Sequence, residues 1–398
     1  MAGKVAIVGG SIGGLFAAAA LKRAGFHVRV FERVGTPLHG RGAGVVTHPQ
    51  LLDALAQIGA DLNDLGVQLH DRVAFDREGQ PFRIFPYLQV ATSWDRVYQA
   101  LRGLIPDEDY HMGERLQGFE EVADGVRLQF ESGTQYRADI LVGADGFRSV
   151  VRGQLLPDVQ PEFSGYVVWR ALALESEIAP SIRDRVFNKF GMYLPQGTQF
   201  VGYPIAGENN DLRPGHRRYN FVWYVPVEEA ALKDMLTDES GMKHAISIPP
   251  PLVRQEILDE AVLTAKKLLP DVFTHVLSKS ERPFFTPIYD HVSPSFATGR
   301  VALLGDAACV ARPHVGMGVT KAAQDALALA RHLTSKSIPE ALRGYSDERQ
   351  PASHAAFERS RRLGHYMMEG PADGENTDGR NNPYAEEILR LTAVADFP

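Results

Sequence analysis

Short, unbroken apolar runs separated by glycine-rich turns mark the start of the chain. Residues 5–8 are all apolar, glycines cluster from Gly9 to Gly14, and strong helix formers follow until Gly25. An uninterrupted apolar run is typical of a parallel strand that is covered on both faces. Since a second strand is predicted to end at Glu32, the pattern predicts a right-handed βαβ unit.

Two later segments repeat the strand-and-turn pattern, and the stretch between them has a different pattern of apolar and polar residues. The apolar residues 140–142 lead to Asp145-Gly146, residues 301–304 lead to Gly305-Asp306, and a helix is predicted from Val319 to Leu333. From about residue 162 to residue 287, apolar and aromatic residues alternate with polar ones, which favours antiparallel strands with one covered face. The chain therefore predicts an α/β fold in which a β-rich lobe is inserted into a nucleotide-binding lobe.

Charge and composition exclude several classes of function. The formal net charge is −7, so neither a nucleic-acid surface nor an anionic membrane surface is expected. Cys309 is the single cysteine, which rules out an internal disulfide and fits a reducing, cytoplasmic location. The scattered histidines form no metal-binding motif, so no metal is expected. No segment reaches the roughly 20 apolar residues needed to span a bilayer.

The first glycine turn matches a dinucleotide-binding fingerprint with one departure. Ser11 replaces the second glycine, and its hydroxyl could donate to a phosphate. The backbone of this turn and the following helix N-terminus are suited to a pyrophosphate, and the carboxylate of Glu32 is suited to a ribose. The predicted nucleotide contacts here are Gly9, Ser11, Ile12, Gly14 and Glu32. The alternative is an ordinary glycine-rich turn, and the motif alone does not separate NAD from FAD.

Two further motifs carry a family resemblance. Gly305-Asp306-Ala307-Ala308 is followed by Pro313-x-x-Gly316-x-Gly318, and residues 143–152 read Gly-Ala-Asp-Gly-Phe-Arg-Ser-Val-Val-Arg. With the first turn, and over about residues 4–350, the sequence resembles the aromatic-hydroxylating flavoprotein monooxygenases of the para-hydroxybenzoate hydroxylase type. Smaller marks, such as Trp169-Arg170, make it most similar to the dihydroxypyridine-hydroxylating branch.

The resemblance implies FAD as the cofactor and assigns roles to individual residues. Asp306 would contact the ribityl chain, the loop from Pro313 to Val319 would present N–H groups to the flavin, and Asp145 would lie near the pyrophosphate. Further FAD contacts implied by the family are Arg33, Arg41, Val45, Arg96, Gly316 and Gly318. For Arg41 and Arg96, a solvated surface charge is the competing interpretation. There is no second glycine fingerprint, so NADH or NADPH is expected to dock transiently near Asp145 to Arg148.

The residues of the reaction itself are less sharply marked. His314 follows Pro313 and is expected near the substrate, while His48 follows the Arg41 loop; either could deprotonate a ring hydroxyl. Tyr224 is a third catalytic candidate. Tyr203, Trp223, Pro313 and His314 are predicted to line the substrate pocket, although packing within a sheet is the competing interpretation for Trp223.

The resemblance also implies an activity and an organisation into domains. A nicotinamide would reduce FAD, dioxygen would add to form a C4a-hydroperoxide, and one oxygen would pass to a small aromatic substrate. The alternatives are another flavoenzyme of the superfamily, such as a halogenase or a reductase, and a noncatalytic FAD-binding protein. We expect a discontinuous FAD-binding domain of the glutathione reductase type (1–70, 92–160, 289–350), a substrate domain (71–91, 161–288) and a C-terminal helical segment (351–398). A homodimer is a further expectation from the resemblance.

Overall fold

A computed structural model describes residues 3–38, 44–368 and 378–395. The strands are β1 (Lys4–Val8), β2 (His27–Glu32), β3 (Gly44–Val46), β4 (Val67–Phe75), β5 (Pro81–Ser93), β6 (Tyr110–Met112), β7 (Leu116–Val122), β8 (Gly125–Phe130), β9 (Gln135–Ala138), β10 (Ile140–Gly143), β11 (Glu162–Leu174), β12 (Lys189–Tyr193), β13 (Gln199–Ile205), β14 (Arg218–Pro226), β15 (Phe284–Val292), β16 (Ala297–Thr298), β17 (Val301–Leu303) and β18 (Cys309–Val310). The helices are α1 (Ile12–Arg23), α2 (Pro49–Ile58), α3 (Trp94–Arg102), α4 (Val150–Leu155), α5 (Pro180–Val186), α6 (Glu229–Met235), α7 (Gln255–Leu268), α8 (Asp271–Ser278), α9 (Gly318–Ser335), α10 (Ile338–His365) and α11 (Ala385–Leu391).

The first sheet has six strands in the order β16-β17-β10-β1-β2-β6. All neighbours from β17 to β6 pair in parallel, and only β16 is antiparallel. The apolar runs predicted as buried strands form the three adjacent strands β17, β10 and β1, and α1 and α9 pack together against the sheet. This arrangement confirms the predicted βαβ unit and brings the carboxyl ends of β1, β10 and β17 to one edge.

The second sheet has nine strands in the order β18-β15-β11-β14-β13-β12-β4-β5-β3, and every pair except β12-β4 is antiparallel. Side chains alternate between its two faces. One face, including Trp169 and Trp223, packs on α7 and α8. The other, including Tyr166 and Tyr224, faces the loop before α9 and the C-terminal helix α11. The mixed α/β architecture with an additional antiparallel sheet confirms the predicted fold class.

The C-terminal segment is held against the second sheet by a buried arginine. Arg72, on β4, is fully buried and donates to the carbonyl oxygens of Leu389 (3.3 Å), Ala393 (3.0 Å) and Thr392. These carbonyls follow or end α11, where a cation is favourable because of the helix dipole. Burial lowers the pKa of Arg72 to about 10, so the guanidinium stays charged at neutral pH.

The described residues contain neither a membrane-spanning helix nor a metal-binding cluster. Within the described ranges, every helix is too short or too polar to cross a bilayer. Over the same ranges, no three side chains from His, Cys, Asp or Glu are grouped as metal ligands would be.

Candidate active site

Two cavities join between the sheets. One, of about 460 Å³, lies at the carboxyl edge of the first sheet, and the other, of about 480 Å³, lies under the second sheet. Both are lined by Phe147, Arg148 and Ser247, so the two cavities are adjacent and together make up the cleft between the sheets. The edge where parallel strands end is the usual place for a ligand in such a sheet. We name these the nucleotide cavity and the ring cavity.

The first glycine turn forms one wall of the nucleotide cavity. Gly9 has a φ of +106° and donates its N–H to the carbonyl of Phe31 at 2.9 Å. Gly9 and Ser11 line the cavity, and Ser11 precedes α1 without its side chain capping the helix. Ile12 and Gly14 are buried in the first turn of α1. The N–H groups at this uncapped end suit an anion, as a pyrophosphate requires.

Glu32 stands beside this turn as a buried carboxylate on the cavity wall. Its two oxygens accept hydrogen bonds from the N–H groups of Gly10 (2.8 Å) and Val34 (2.9 Å). Arg33 is exposed and lines the same cavity. Each carboxylate oxygen keeps lone pairs for a further donor, so the position suits a ribose hydroxyl.

The Asp145 turn contributes its backbone to the cleft, while its carboxylate caps a helix. Asp145 accepts hydrogen bonds from Ser149 Oγ (2.5 Å) and from the N–H of Val150 (2.7 Å), at the start of α4. Arg152 ties this turn to the third motif, because its Nη2 donates to the carbonyl of Phe147 (2.8 Å) and its Nη1 donates to that of Ala307 (3.2 Å). The two turns are thus brought together.

The Asp306 turn is held by hydrogen bonds to two side chains of α9. Lys321 Nζ donates to the carbonyl of Gly305 at 2.8 Å, and the N–H of Gly305 donates to Asp325 at 3.2 Å. Lys321 and Asp325 are both buried. The side chain of Asp306 is exposed and lines the ring cavity, so this clamp fixes where its carboxylate enters the cleft.

The loop that follows leads into α9, and the N-terminus of α9 faces the ring cavity. Gly316 adopts the left-handed conformation (φ +60°), and Met317 precedes α9 without a side-chain cap. Pro313, Gly316, Gly318 and Val319 line the cavity together with Val45. A cleft with an uncapped helix N-terminus in each cavity, a buried carboxylate and glycines at the close approaches fits an FAD molecule laid along it.

Aromatic and aliphatic side chains of the second sheet form the far wall of the ring cavity. Tyr203 and Tyr224 line it with Phe190, Val201, Val222 and Arg170. Burial raises the pKa of Tyr203 to about 12, and it raises the pKa of Tyr224 as well. Both phenols therefore keep their protons at neutral pH and can donate hydrogen bonds.

The two histidine candidates lie outside both cavities. His314 is completely buried behind Pro313, 3.0 Å from Tyr166 Oη and stacked on Tyr224, and burial lowers its pKa to about 3. His48 is buried beside Thr320 (2.8 Å), and burial lowers its pKa to about 4. Neither ring lines the cavity that a substrate hydroxyl would enter, so this geometry gives neither the position of a general base.

Two other predicted residues, Trp223 and Arg96, lie away from the ring cavity. Trp223 faces α7 and α8, on the opposite side of the sheet from the ring cavity, and its Nε1 donates to Thr198 Oγ1 at 2.8 Å; its assignment to the substrate pocket is corrected by the alternation of β14. Arg96 donates to the carbonyl of Asn63 at 2.6 Å and lines neither cavity. Arg41 lies outside the described residues.

Several cavity residues carry no role in the sequence-based prediction. Arg170 could have been found, because it alternates with Tyr166 and Val168 along β11. Thr392 and Ala393 reach the cavity from the C-terminal segment, and no local pattern marks them.

Comparisons with known proteins agree with this geometry. Residues 7–58 match a model described as an NAD(P)-binding Rossmann-like domain, and residues 163–290 match one described as FAD binding domain-like. The chain is 32% identical to the 2,6-dihydroxypyridine 3-monooxygenase of Paenarthrobacter nicotinovorans, over 92% of each protein. It is 29% identical to the 6-hydroxynicotinate 3-monooxygenase of Pseudomonas fluorescens, over 83% of this chain and 82% of that one.

A solved structure gives the same result in three dimensions. The structure of 2,6-dihydroxypyridine-3-hydroxylase from Arthrobacter nicotinovorans superposes with a TM-score of 0.87 and 31% sequence identity. The match covers 93% of this chain and 94% of that one.

Proposed function

The chain belongs to the FAD-dependent aromatic monooxygenases, and from that membership we propose that it hydroxylates a hydroxypyridine or a small phenolic acid with NADH or NADPH as reductant. The nicotinamide gives a hydride and solvent gives a proton, one oxygen atom of dioxygen enters a ring C–H bond, and the other leaves as water.

The proposal is carried by the junction of the two cavities. The ring cavity, lined by Tyr203 and Tyr224, meets the uncapped N-terminus of α9 and the Asp306 turn, and it continues into the nucleotide cavity. A bound FAD that spans both cavities would therefore have its ring end, the isoalloxazine, beside the small, mostly apolar ring cavity. A pocket of about 480 Å³ accommodates a single aromatic ring beside that end.

We assign the roles in cofactor and substrate binding to individual residues of the chain. Bound FAD supplies the oxygen-activating chemistry. The N–H groups from Gly316 to Val319 favour negative charge at the ring end of the cofactor. Tyr203 and Tyr224 donate hydrogen bonds to a substrate, and Phe190, Val201 and Val222 exclude water, which protects reactive species from side reactions. The Asp145–Arg148 turn, at the junction of the cavities, is the proposed docking place for the nicotinamide.

Stimulated oxidation of NADH or NADPH tests this function. The purified protein is reconstituted with FAD and supplied with 2,6-dihydroxypyridine, 6-hydroxynicotinate or salicylate. We expect at least one of them to accelerate nicotinamide oxidation and to gain one oxygen atom from isotopically labelled dioxygen. Failure to bind FAD, or nicotinamide oxidation that no aromatic accelerates, would overturn the proposal.

Two narrower statements remain predictions. A homodimer would be recognised by light scattering at a mass twice that of the 43.8 kDa chain. A cytoplasmic location would be recognised by cell fractionation. The comparisons support a monooxygenase rather than a halogenase, a reductase or a noncatalytic flavoprotein.

A further inference from the structure

Part of the wall of the ring cavity comes from the C-terminal segment, which comprises α11 and residues 392–395. Thr392 and Ala393 line the cavity. Ala393 is buried in one apolar cluster with Val46 and Met317, and both of these residues line the cavity as well. A ring held in the cavity would therefore meet the C-terminal segment as well as the second sheet.

Both backbone groups of Ala393 are held by hydrogen bonds. Its N–H donates to the carbonyl of His314 at 2.9 Å, and its carbonyl accepts from Arg72 Nη2 and Gln89 Nε2, each at 3.0 Å. Gln89 Nε2 also donates to the carbonyl of Thr47 at 2.9 Å, directly after β3. Arg72 and Gln89 are buried. The position of Ala393 is therefore fixed relative to the second sheet and to the loop before α9.

The backbone of Ala393 has a costly conformation. Its φ is +52°, in the left-handed region where the side chain of an L-residue crowds the backbone. Such a conformation persists only where the surroundings over-determine it, and such positions cluster at functional sites. Glycine adopts a positive φ without that steric cost, so the backbone geometry gives no reason for a side chain here.

The methyl group of Ala393 fills the space beside Gly316. A Cβ added to Gly316 would lie 2.8 Å from the Cβ of Ala393 and 3.2 Å from Cγ2 of Val46. Since protein interiors are close-packed, no further carbon fits among these three residues. All three line the ring cavity, so removal of the Ala393 methyl group would open space in its wall.

We propose that Ala393 limits the size of the aromatic ring that the cavity accepts, and that Arg72 and Gln89 are the positioning residues that hold it there. The ligand class is a single aromatic ring with no alkyl group on the edge that meets the C-terminal segment. The inference rests on the proposed function and adds the residue that determines its specificity.

Moving one methyl group from the wall to the ligand tests this without turnover. The wild type and Ala393→Gly, each reconstituted with FAD, are titrated in the absence of nicotinamide while the flavin absorbance is followed. The ligands are 2,6-dihydroxypyridine, 6-hydroxynicotinate and salicylate, each compared with its ring-methylated forms. For a parent ring that binds, the wild type should discriminate against at least one methylated form. Ala393→Gly should reduce that discrimination, measured as the ratio of the two Kd values, by about tenfold.

A second left-handed residue provides a matched control. Asp64 has a φ of +50°, is exposed and lines neither cavity. Asp64→Gly relieves the same backbone conformation as Ala393→Gly, so both variants should fold and bind FAD. Only Ala393→Gly should change the ratio of the two Kd values, because only its methyl group belongs to the cavity wall.

The same ratio tests the positioning residues. Arg72→Lys keeps the charge but replaces a planar fork with a single ammonium group, and Gln89→Met removes a donor to Ala393. We expect each to reduce the discrimination by about threefold or more, with a normal FAD content. The control is Arg83→Lys, since Arg83 is exposed and pairs with Glu386 of α11. Wild-type discrimination in both Arg72→Lys and Gln89→Met would remove their positioning role.

Two results would overturn the inference while leaving the proposed function intact. One is equal discrimination in the wild type and in Ala393→Gly that contains normal amounts of FAD. The other is a wild type that binds every methylated form as tightly as its parent. If no aromatic stimulates nicotinamide oxidation in the wild type, the proposed function fails, and this inference fails with it.

Discussion

The carboxylate of Glu32 accepts a hydrogen bond from the backbone N–H of Gly10 at 2.8 Å, across the gap between β2 and the first glycine turn. Its other oxygen accepts one from Val34 at 2.9 Å. Glu32 is only 6% exposed, yet it lines the nucleotide cavity. One side chain therefore fixes the shape of the turn and faces the nucleotide cavity.

Replacement of Glu32 by alanine should weaken FAD binding at least tenfold. The change removes a ligand acceptor and leaves two N–H groups without a partner, at a cost of about 1–3 kcal/mol for each buried group. Fluorescence titration of the apoprotein with FAD measures the Kd. Glu32→Gln should lose less, because its amide oxygen still accepts. Glu120→Ala, at an exposed position of β7, is the control. A wild-type Kd in Glu32→Ala would contradict the assigned role.

Gly316→Ala should disturb the wall of the ring cavity more than a comparable glycine substitution elsewhere. A Cβ at Gly316 would lie 2.8 Å from the Cβ of Ala393, in the C-terminal segment that Arg72 holds. Gly215 also has a positive φ (+89°), but a Cβ there would meet nothing within 4 Å. Both variants bear the left-handed backbone cost of about 1–2 kcal/mol.

Only Gly316→Ala adds a steric clash to that cost, so its free energy of unfolding and its FAD content should both fall below those of Gly215→Ala. Urea unfolding and the flavin-to-protein absorbance ratio measure the two effects. Equal losses in both variants would show that the C-terminal segment does not press on this loop.

Three buried histidines should make stability depend on pH in a defined direction. Burial lowers the pKa of His48 to about 4 and the pKa values of His291 and His314 to about 3, from an ordinary value of 6.5. Below pH 6.5 the unfolded chain binds protons that the folded chain does not bind. The free energy of unfolding should therefore fall as the pH falls from 6.5 toward 4, by about 1.4 kcal/mol per pH unit for each histidine.

Urea unfolding at several pH values measures that slope. In His314→Gln the slope should decrease by about one proton, whereas the control His354→Gln, at a half-exposed position of α10, should keep the wild-type slope. Because His314 is neutral and outside the ring cavity, its replacement should also leave the pH optimum of turnover in place. A displaced optimum would restore His314 as a candidate general base.

Much of the fold and of the cofactor site was predictable from the sequence. Glycines are favoured at positions such as Gly9 and Gly305, where the backbone has a positive φ, and the apolar runs before them have few alternatives to buried strands. These local constraints mark the three turns and, through family resemblance, the cofactor. The domain limits stay a prediction.

The substrate wall was harder to predict because it depends on contacts between distant segments. That His314 follows Pro313 does not reveal which way a short turn directs its side chain. Alternation on β11 puts Trp169 and Arg170 on opposite faces, but the nine-strand register decides which face meets the cavity. Thr392 and Ala393 arrive from the far end of the chain, held by Arg72.

Two adjacent residues of β14 allow a direct test of that register. Tyr224 faces the ring cavity, and Trp223 faces α7 and α8. Tyr224→Phe keeps the ring but removes a hydrogen-bond donor, so the Kd for 2,6-dihydroxypyridine should rise about threefold to tenfold, with little change in stability. Trp223→Phe removes volume from a filled core and the hydrogen bond to Thr198, so it should lower the free energy of unfolding by about 2–3 kcal/mol and leave the Kd unchanged.

Flavin-monitored titration and urea unfolding of both variants give the four values. If Trp223→Phe weakened ligand binding as much as Tyr224→Phe does, the faces of β14 would be reversed from those described, and the ring cavity would not be the substrate site.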